Sequence, residues 1–136
     1  MEIYHKELIY HCTYIRSSIL NVKDETRLFK EFPIGCCRDA SILMGIFFSN
    51  IGLENLIYCR STFDNGRKSH AWLEYKNFII DITASQFCNA YDEIIVSPNI
   101  NRSKIHKNPK FEPYKLEIAG FDAIQIIKDF DLIFKF

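Results

Sequence analysis

The run "SHAWLEYKNFIIDIT", residues 69–83, contains two period-two segments on either side of Lys76-Asn77. Alternation of this kind, rich in aromatic and β-branched residues, predicts two strands, and Lys76-Asn77 is suited to a two-residue hairpin turn. With that turn Tyr75 pairs with Phe78 and His70 with Thr83. His70, Trp72 and Glu74 then share a face with Ile79, Asp81 and Thr83, while Ala71, Leu73, Tyr75, Phe78, Ile80 and Ile82 form an almost wholly apolar opposite face. A three-residue loop would move Asp81 into the apolar set, where an unpaired carboxylate is costly. The pattern therefore favours the register in which His70 and Asp81 are diagonal cross-strand neighbours.

Outward from this hairpin the period changes. "NLIYCRST" before it and "DEIIVS" after it also read as strands, with "DNGRKS" as the loop joining the first two. Further upstream, Leu8, Cys12, Ile15 and Ile19 fall on one stripe of an amphipathic helix. "KDETRLFKEF" suggests a short second helix capped by Asp24, with Pro33 excluding Phe32 from it. "CRDASILMGIFFSNIG" predicts a helix from Cys37 that stops at Gly52. Its apolar residues circle most of the axis, which predicts a central helix covered on several sides. Residues 98–120, with three prolines and five basic residues, read as a long surface loop, and "FDAIQIIKDFDLIFKF" as a final helix, alone or followed by an edge strand. Helices first, then an antiparallel sheet, defines an α+β class, and 136 residues suffice for one domain spanning 1–136.

Lys plus Arg equals Asp plus Glu, 17 against 17, which argues against bulk attraction to nucleic acid or membrane. The first ten residues lack the layout of a signal peptide, and no apolar run is long enough to span a bilayer. Five cysteines in no framework spacing predict free thiols in a cytoplasmic setting; export, if it occurs, would use no cleavable signal.

The chemistry concentrates in "FPIGCCRDAS", residues 32–41, where Cys36 and Cys37 stand side by side at a helix start. Backbone N–H groups and the helix dipole favour thiolate there. Gly35 can adopt a tight conformation that lets a substrate approach closely. A thiol nucleophile needs a proton shuttle, usually histidine. Of His5, His11, His70 and His106, only His70 opens a strand with a carboxylate, Asp81, set to orient it.

"GCCRDAS", "SHAWLE" and "IIDIT" together resemble the transglutaminase-like branch of the papain-type cysteine enzymes. That family's pattern is Gly-x-Cys-x-Asp/Glu-x-Ala/Ser at a helix start, His-x-Trp on a strand and Asp-x-Thr on the next. The resemblance covers roughly residues 33 to 87. It implies a papain-like fold, Cys37 as nucleophile, His70 as base and Asp81 as the orienting carboxylate. The Gly35–Ser41 frame fits only with Cys37 in the nucleophile's place, leaving Cys36 as its neighbour at the substrate side. Family enzymes often have an upstream Trp or Gln as oxyanion donor, but here the only Trp is Trp72 and the glutamines are Gln86 and Gln125. The Cys37 backbone N–H and Gln86 are the candidate donors, and Gly35, Cys36 and Trp72 the candidate substrate contacts.

The implied activity is thiol-dependent acyl transfer on a peptide or protein amide, by a peptidase, amidase or deamidase, with no cofactor. Two other readings stay open: an inactive binding module on the same fold, and a toxin-like effector that modifies a target protein. Small domains of this kind resemble bacterial peptide-processing enzymes and secreted effectors. Metal is not expected, because Cys36, Cys37, Cys59, His70 and Cys88 lack chelating spacing. Glu74 reads as a solvated strand residue and Asp39 as a cap-like group on the first helical turn. The basic run Arg102, Lys104, Lys107, Lys110 and Lys115 reads as a solvated face, with an anionic-substrate role as the minority reading.

Overall fold

A computed structural model describes residues 4–135. Helix α1 is His5–Val22, and all four residues of its predicted stripe are buried. Helix α2, Cys37–Asn50, is buried from Ala40 through Gly45 and again at Phe48, as expected of a central helix. It ends where Gly52 takes φ +97°. There the Gly52 N–H donates to Ser49 O at 3.0 Å and the Leu53 N–H to Phe48 O at 3.0 Å. These two bonds satisfy carbonyls of the last turn, and the positive φ they require suits glycine.

Five strands form one antiparallel sheet: β1 (Ile57–Phe63), β2 (Lys68–Tyr75), β3 (Phe78–Asp81), β4 (Ile95–Pro98) and β5 (Lys110–Pro113), in the order β4-β3-β2-β1-β5. Tyr75 pairs with Phe78, and Lys76 and Asn77 have φ +47° and +67°, the backbone of a two-residue hairpin turn. The predicted register holds, but the β2–β3 ladder ends at Leu73–Ile80. Thr83 therefore lies beyond the strand and starts a 3-10 turn, Ala84–Gln86, instead of pairing with His70.

The main core joins the buried sides of α1 and α2 to Ala71, Leu73, Tyr75, Ile80 and Ile82 from the sheet. A smaller cluster of Cys59, Trp72 and Ile79 lies apart from it. Gly45 of α2 lets the ring of Tyr114 lie against the helix: a Cβ at residue 45 would sit 2.0 Å from that ring. Tyr114 Oη donates to Ile42 O at 2.8 Å, so the segment after β5 is bound to the central helix. Helix α3, Ala123–Ile133, closes the chain as a helix with no edge strand after it among the described residues.

Two predicted elements differ. The expected second helix is only a 3-10 turn, Lys23–Glu25, with no cap from Asp24. Side chains take the backbone donors that a helix would have used: Asp129 accepts from the Arg27 and Leu28 N–H groups at 3.1 and 2.9 Å, and Thr26 Oγ1 accepts from Phe29 N–H at 3.1 Å. The expected loop at 98–120 contains β5, a 3-10 turn at Lys104–His106 that buries Ile105 and His106, and helical turns across Leu116–Asp122 that are broken at Gly120. Pro113 hid the strand, since proline suits an edge and argues against an interior position.

Candidate active site

Cys37 is the first residue of α2 and is half-buried. No side chain caps this helix, so its first-turn amides are not occupied by a capping group. Asp39 does not cap as expected. Its carboxylate accepts from Arg38 at 3.2 Å, and burial raises its pKa against the lowering effect of that arginine. Arg38 also pairs with Asp122.

His70 and Asp81 meet as the register requires. Asp81 Oδ2 lies 2.6 Å from His70 Nε2, with both residues 1% exposed. A carboxylate only accepts, so the imidazole donates through Nε2, and Nδ1 is the nitrogen that carries a lone pair in the neutral ring and a proton in the imidazolium. Nδ1 is buried and forms no regular hydrogen bond, but the Cys37 side chain is close enough to His70 to act on it as a hydrogen-bond and charge partner. Both His70 and Cys37 line one cavity of about 350 Å³. Burial works against a charge on His70, but the hydrogen bond and charge of Asp81, with the side chain of Cys37, outweigh it and raise its pKa to about 9.

His106, from the segment expected to be a surface loop, also joins the site. His106 Nε2 lies 2.8 Å from the same Oδ2 of Asp81, and its Nδ1 is 2.9 Å from Ser103 Oγ. The other oxygen, Oδ1, accepts from Thr83 N–H at 2.9 Å. Burial would raise the Asp81 pKa, but the hydrogen bonds from His106 and His70, and their charges, hold it well below the usual carboxylate range. A histidine inside a basic, Pro-flanked segment carries no periodic signal, so only the fold reveals its partner.

Trp72 does not line the cavity. It is fully buried and stacks on His70 with ring centroids 5.7 Å apart, and its indole N–H donates to Glu74 at 2.9 Å. Glu74 is not solvated but 5% exposed, bonded also by Asn99 at 2.9 Å and by Arg102 at 2.9 and 3.1 Å. Burial would raise its pKa, and those three donors lower it instead. Arg102 thus leaves the solvated face to which the sequence assigned it.

Cys36 is buried beneath the helix start. Its thiol donates to Leu28 O and Ile34 O at 3.4 and 3.3 Å, and burial, with nearby acidic groups, pushes its pKa up to about 11. Gly35 has φ +68° and open space beside its Cα. Its N–H donates to Gln86 Oε1 at 3.0 Å, which ties Gln86 to the residue two before Cys37. Gln86 Nε2 is buried without a partner, a donor still to be used.

The five cysteines are free, and of them Cys37 lines the cavity with His70. Among the described residues the one group with metal-ligand character is His70, Asp81 and His106. Their nitrogen–oxygen separations of 2.6 and 2.8 Å are hydrogen-bond distances. Two ligands on one tetrahedral zinc would stand about 3.3 Å apart, so this spacing fits shared protons better than a metal.

No family model, curated protein or solved structure matches this chain. No helix among the described residues is long and apolar enough to cross a membrane.

Proposed function

We propose that the protein is a thiol-dependent acyl-transfer enzyme of papain-like, transglutaminase-like type, acting on a peptide or protein amide. The observation that carries this reading is that Asp81 occupies Nε2 of His70, leaving its buried Nδ1 to the Cys37 side chain, with which His70 shares a cavity. In the proposed step the proton already resides on the His70 imidazolium, which its raised pKa favours, and the Cys37 thiolate sulfur bonds to the amide carbon. The carbonyl oxygen becomes an oxyanion, which the Cys37 N–H and Gln86 Nε2 are the candidates to receive. Collapse breaks the carbon–nitrogen bond, and His70 gives its proton to the departing amine. Water, deprotonated by His70, then attacks the thioester carbon; the carbon–sulfur bond breaks, the acid departs, and the proton on His70 restores its pair with the Cys37 thiolate.

The test is limiting alkylation by iodoacetamide, with adducts located by mass spectrometry. Cys37 should react first of the five cysteines, and His70→Ala should abolish that preference. Uniform labelling, or labelling led by Cys36, overturns the assignment. Once a peptide amide substrate is in hand, Asp81→Asn should lower kcat by about 10⁴-fold, the scale seen when the orienting carboxylate of a triad is replaced.

A further inference from the structure

The cavity beside Cys37 has an uneven charge. Its lining includes Arg38, Arg60 and Lys110 and no acidic residue. Arg38 is already neutralised by Asp39 and Asp122. Arg60 and Lys110 are not, since among the described residues neither side chain forms a hydrogen bond or ion pair. They are also direct partners across the β1–β5 ladder. Like charges placed directly opposite on neighbouring strands destabilise the pairing. Glu112 is two residues along β5 but faces Tyr58, and it pairs with neither cation.

This concentration is local, because the chain as a whole carries 17 basic and 17 acidic residues. Two unpaired cations on one rung, at the wall of a concave site, create a field that an anion would relieve. Thr62 and Ser69, themselves a cross-strand pair, add uncharged hydroxyls to the same lining. A cavity of about 350 Å³ has the size of a cleft for a short peptide segment.

Resting on the acyl-transfer reading above, we infer that the acyl donor is an acidic peptide. Its carboxylate, within a residue or two of the scissile amide, sits between Arg60 and Lys110 while the amide carbonyl meets Cys37. Arg60 offers a planar fork to a carboxylate and Lys110 a point charge.

The experiment measures binding rather than turnover, using Cys37→Ala protein and NMR titration at low salt. Three acetylated tripeptides serve as probes: Ala-Glu-Ala amide, Ala-Gln-Ala with a free C-terminal carboxylate, and the neutral Ala-Gln-Ala amide. At least one anionic peptide should bind about tenfold more tightly than the neutral one, and added salt should reduce the difference. The peptide that gains identifies whether a side-chain or a terminal carboxylate is read. Combining Arg60→Gln with Lys110→Gln should remove the preference, and Arg60→Glu should turn it toward an Ala-Lys-Ala amide. Equal binding of all probes, or a preference that survives the double substitution, overturns the inference. The two readings fail separately: a carboxylate preference without selective Cys37 alkylation removes the enzyme, and selective alkylation without the preference removes the acidic substrate.

Discussion

His70 and His106 meet on a single oxygen, Oδ2 of Asp81, at 2.6 and 2.8 Å. Their ring centroids are 5.6 Å apart, and both rings pack on Trp72. One carboxylate therefore positions two imidazoles, of which only His70 shares the cavity with Cys37.

His106→Phe keeps an aromatic ring and deletes the hydrogen bond. With one donor lost from a buried carboxylate, stability should fall by about 1–3 kcal/mol, and His106→Gln, which retains an N–H, should lose less. The Asp81 pKa should also rise once a lowering partner is gone. Acid unfolding, followed by circular dichroism, should then begin at a higher pH than in the parent protein. An unchanged acid midpoint would show that His106 does not support Asp81.

The pH dependence of stability has two limbs. His70 is raised from 6.5 to about 9, so its contribution is complete below pH 6.5 and is lost as pH rises through 9. Asp81 is lowered from 3.8, so its contribution is present above that value and declines as pH falls through its depressed pKa. Urea midpoints measured across pH should be highest between these limits. His70→Ala should flatten the alkaline limb; parallel losses in parent and variant between pH 6.5 and 9 would contradict the raised pKa.

Arg102, partly exposed, pairs with the buried carboxylate of Glu74, with side-chain exposures of 23% and 7%. Arg102→Met leaves the carboxylate with only Trp72 and Asn99 and should cost about 3–5 kcal/mol. Adding Glu74→Gln should recover much of the loss, because the unpaired charge disappears. Chemical denaturation of the two single variants and the double variant measures that coupling.

Gly45→Ala would drive a methyl group to 2.0 Å from the Tyr114 ring. The ring must move, and overpacking of this kind costs about 1–3 kcal/mol despite the better helix propensity of alanine. The smaller side chain of Tyr114→Leu, added to Gly45→Ala, should make the combined loss less than additive. A thermal shift series reads the result.

Much of the site was legible because it depends on local geometry. A two-residue turn and strict alternation determine which faces His70 and Asp81 occupy. The stop at Gly52 and the stripe from Leu8 to Ile19 were equally readable, since caps and helical periods are properties of short windows. The failures share a cause. Residues 26–29 do not form a helix because Asp129, about a hundred positions away, takes the Arg27 and Leu28 N–H groups. Glu74 is not solvated because Asn99 and Arg102 return to cover it.

By itself, then, the sequence determined the α+β class, the hairpin register and the His70–Asp81 pairing, all consequences of spacing along the chain. Tertiary structure alone decided that His106 joins Asp81, that Trp72 backs His70 instead of lining the cavity, and that Arg60 meets Lys110 across a strand pair. The His106–Asp81 and Arg60–Lys110 contacts each close a long loop, and no local period records where such a loop returns.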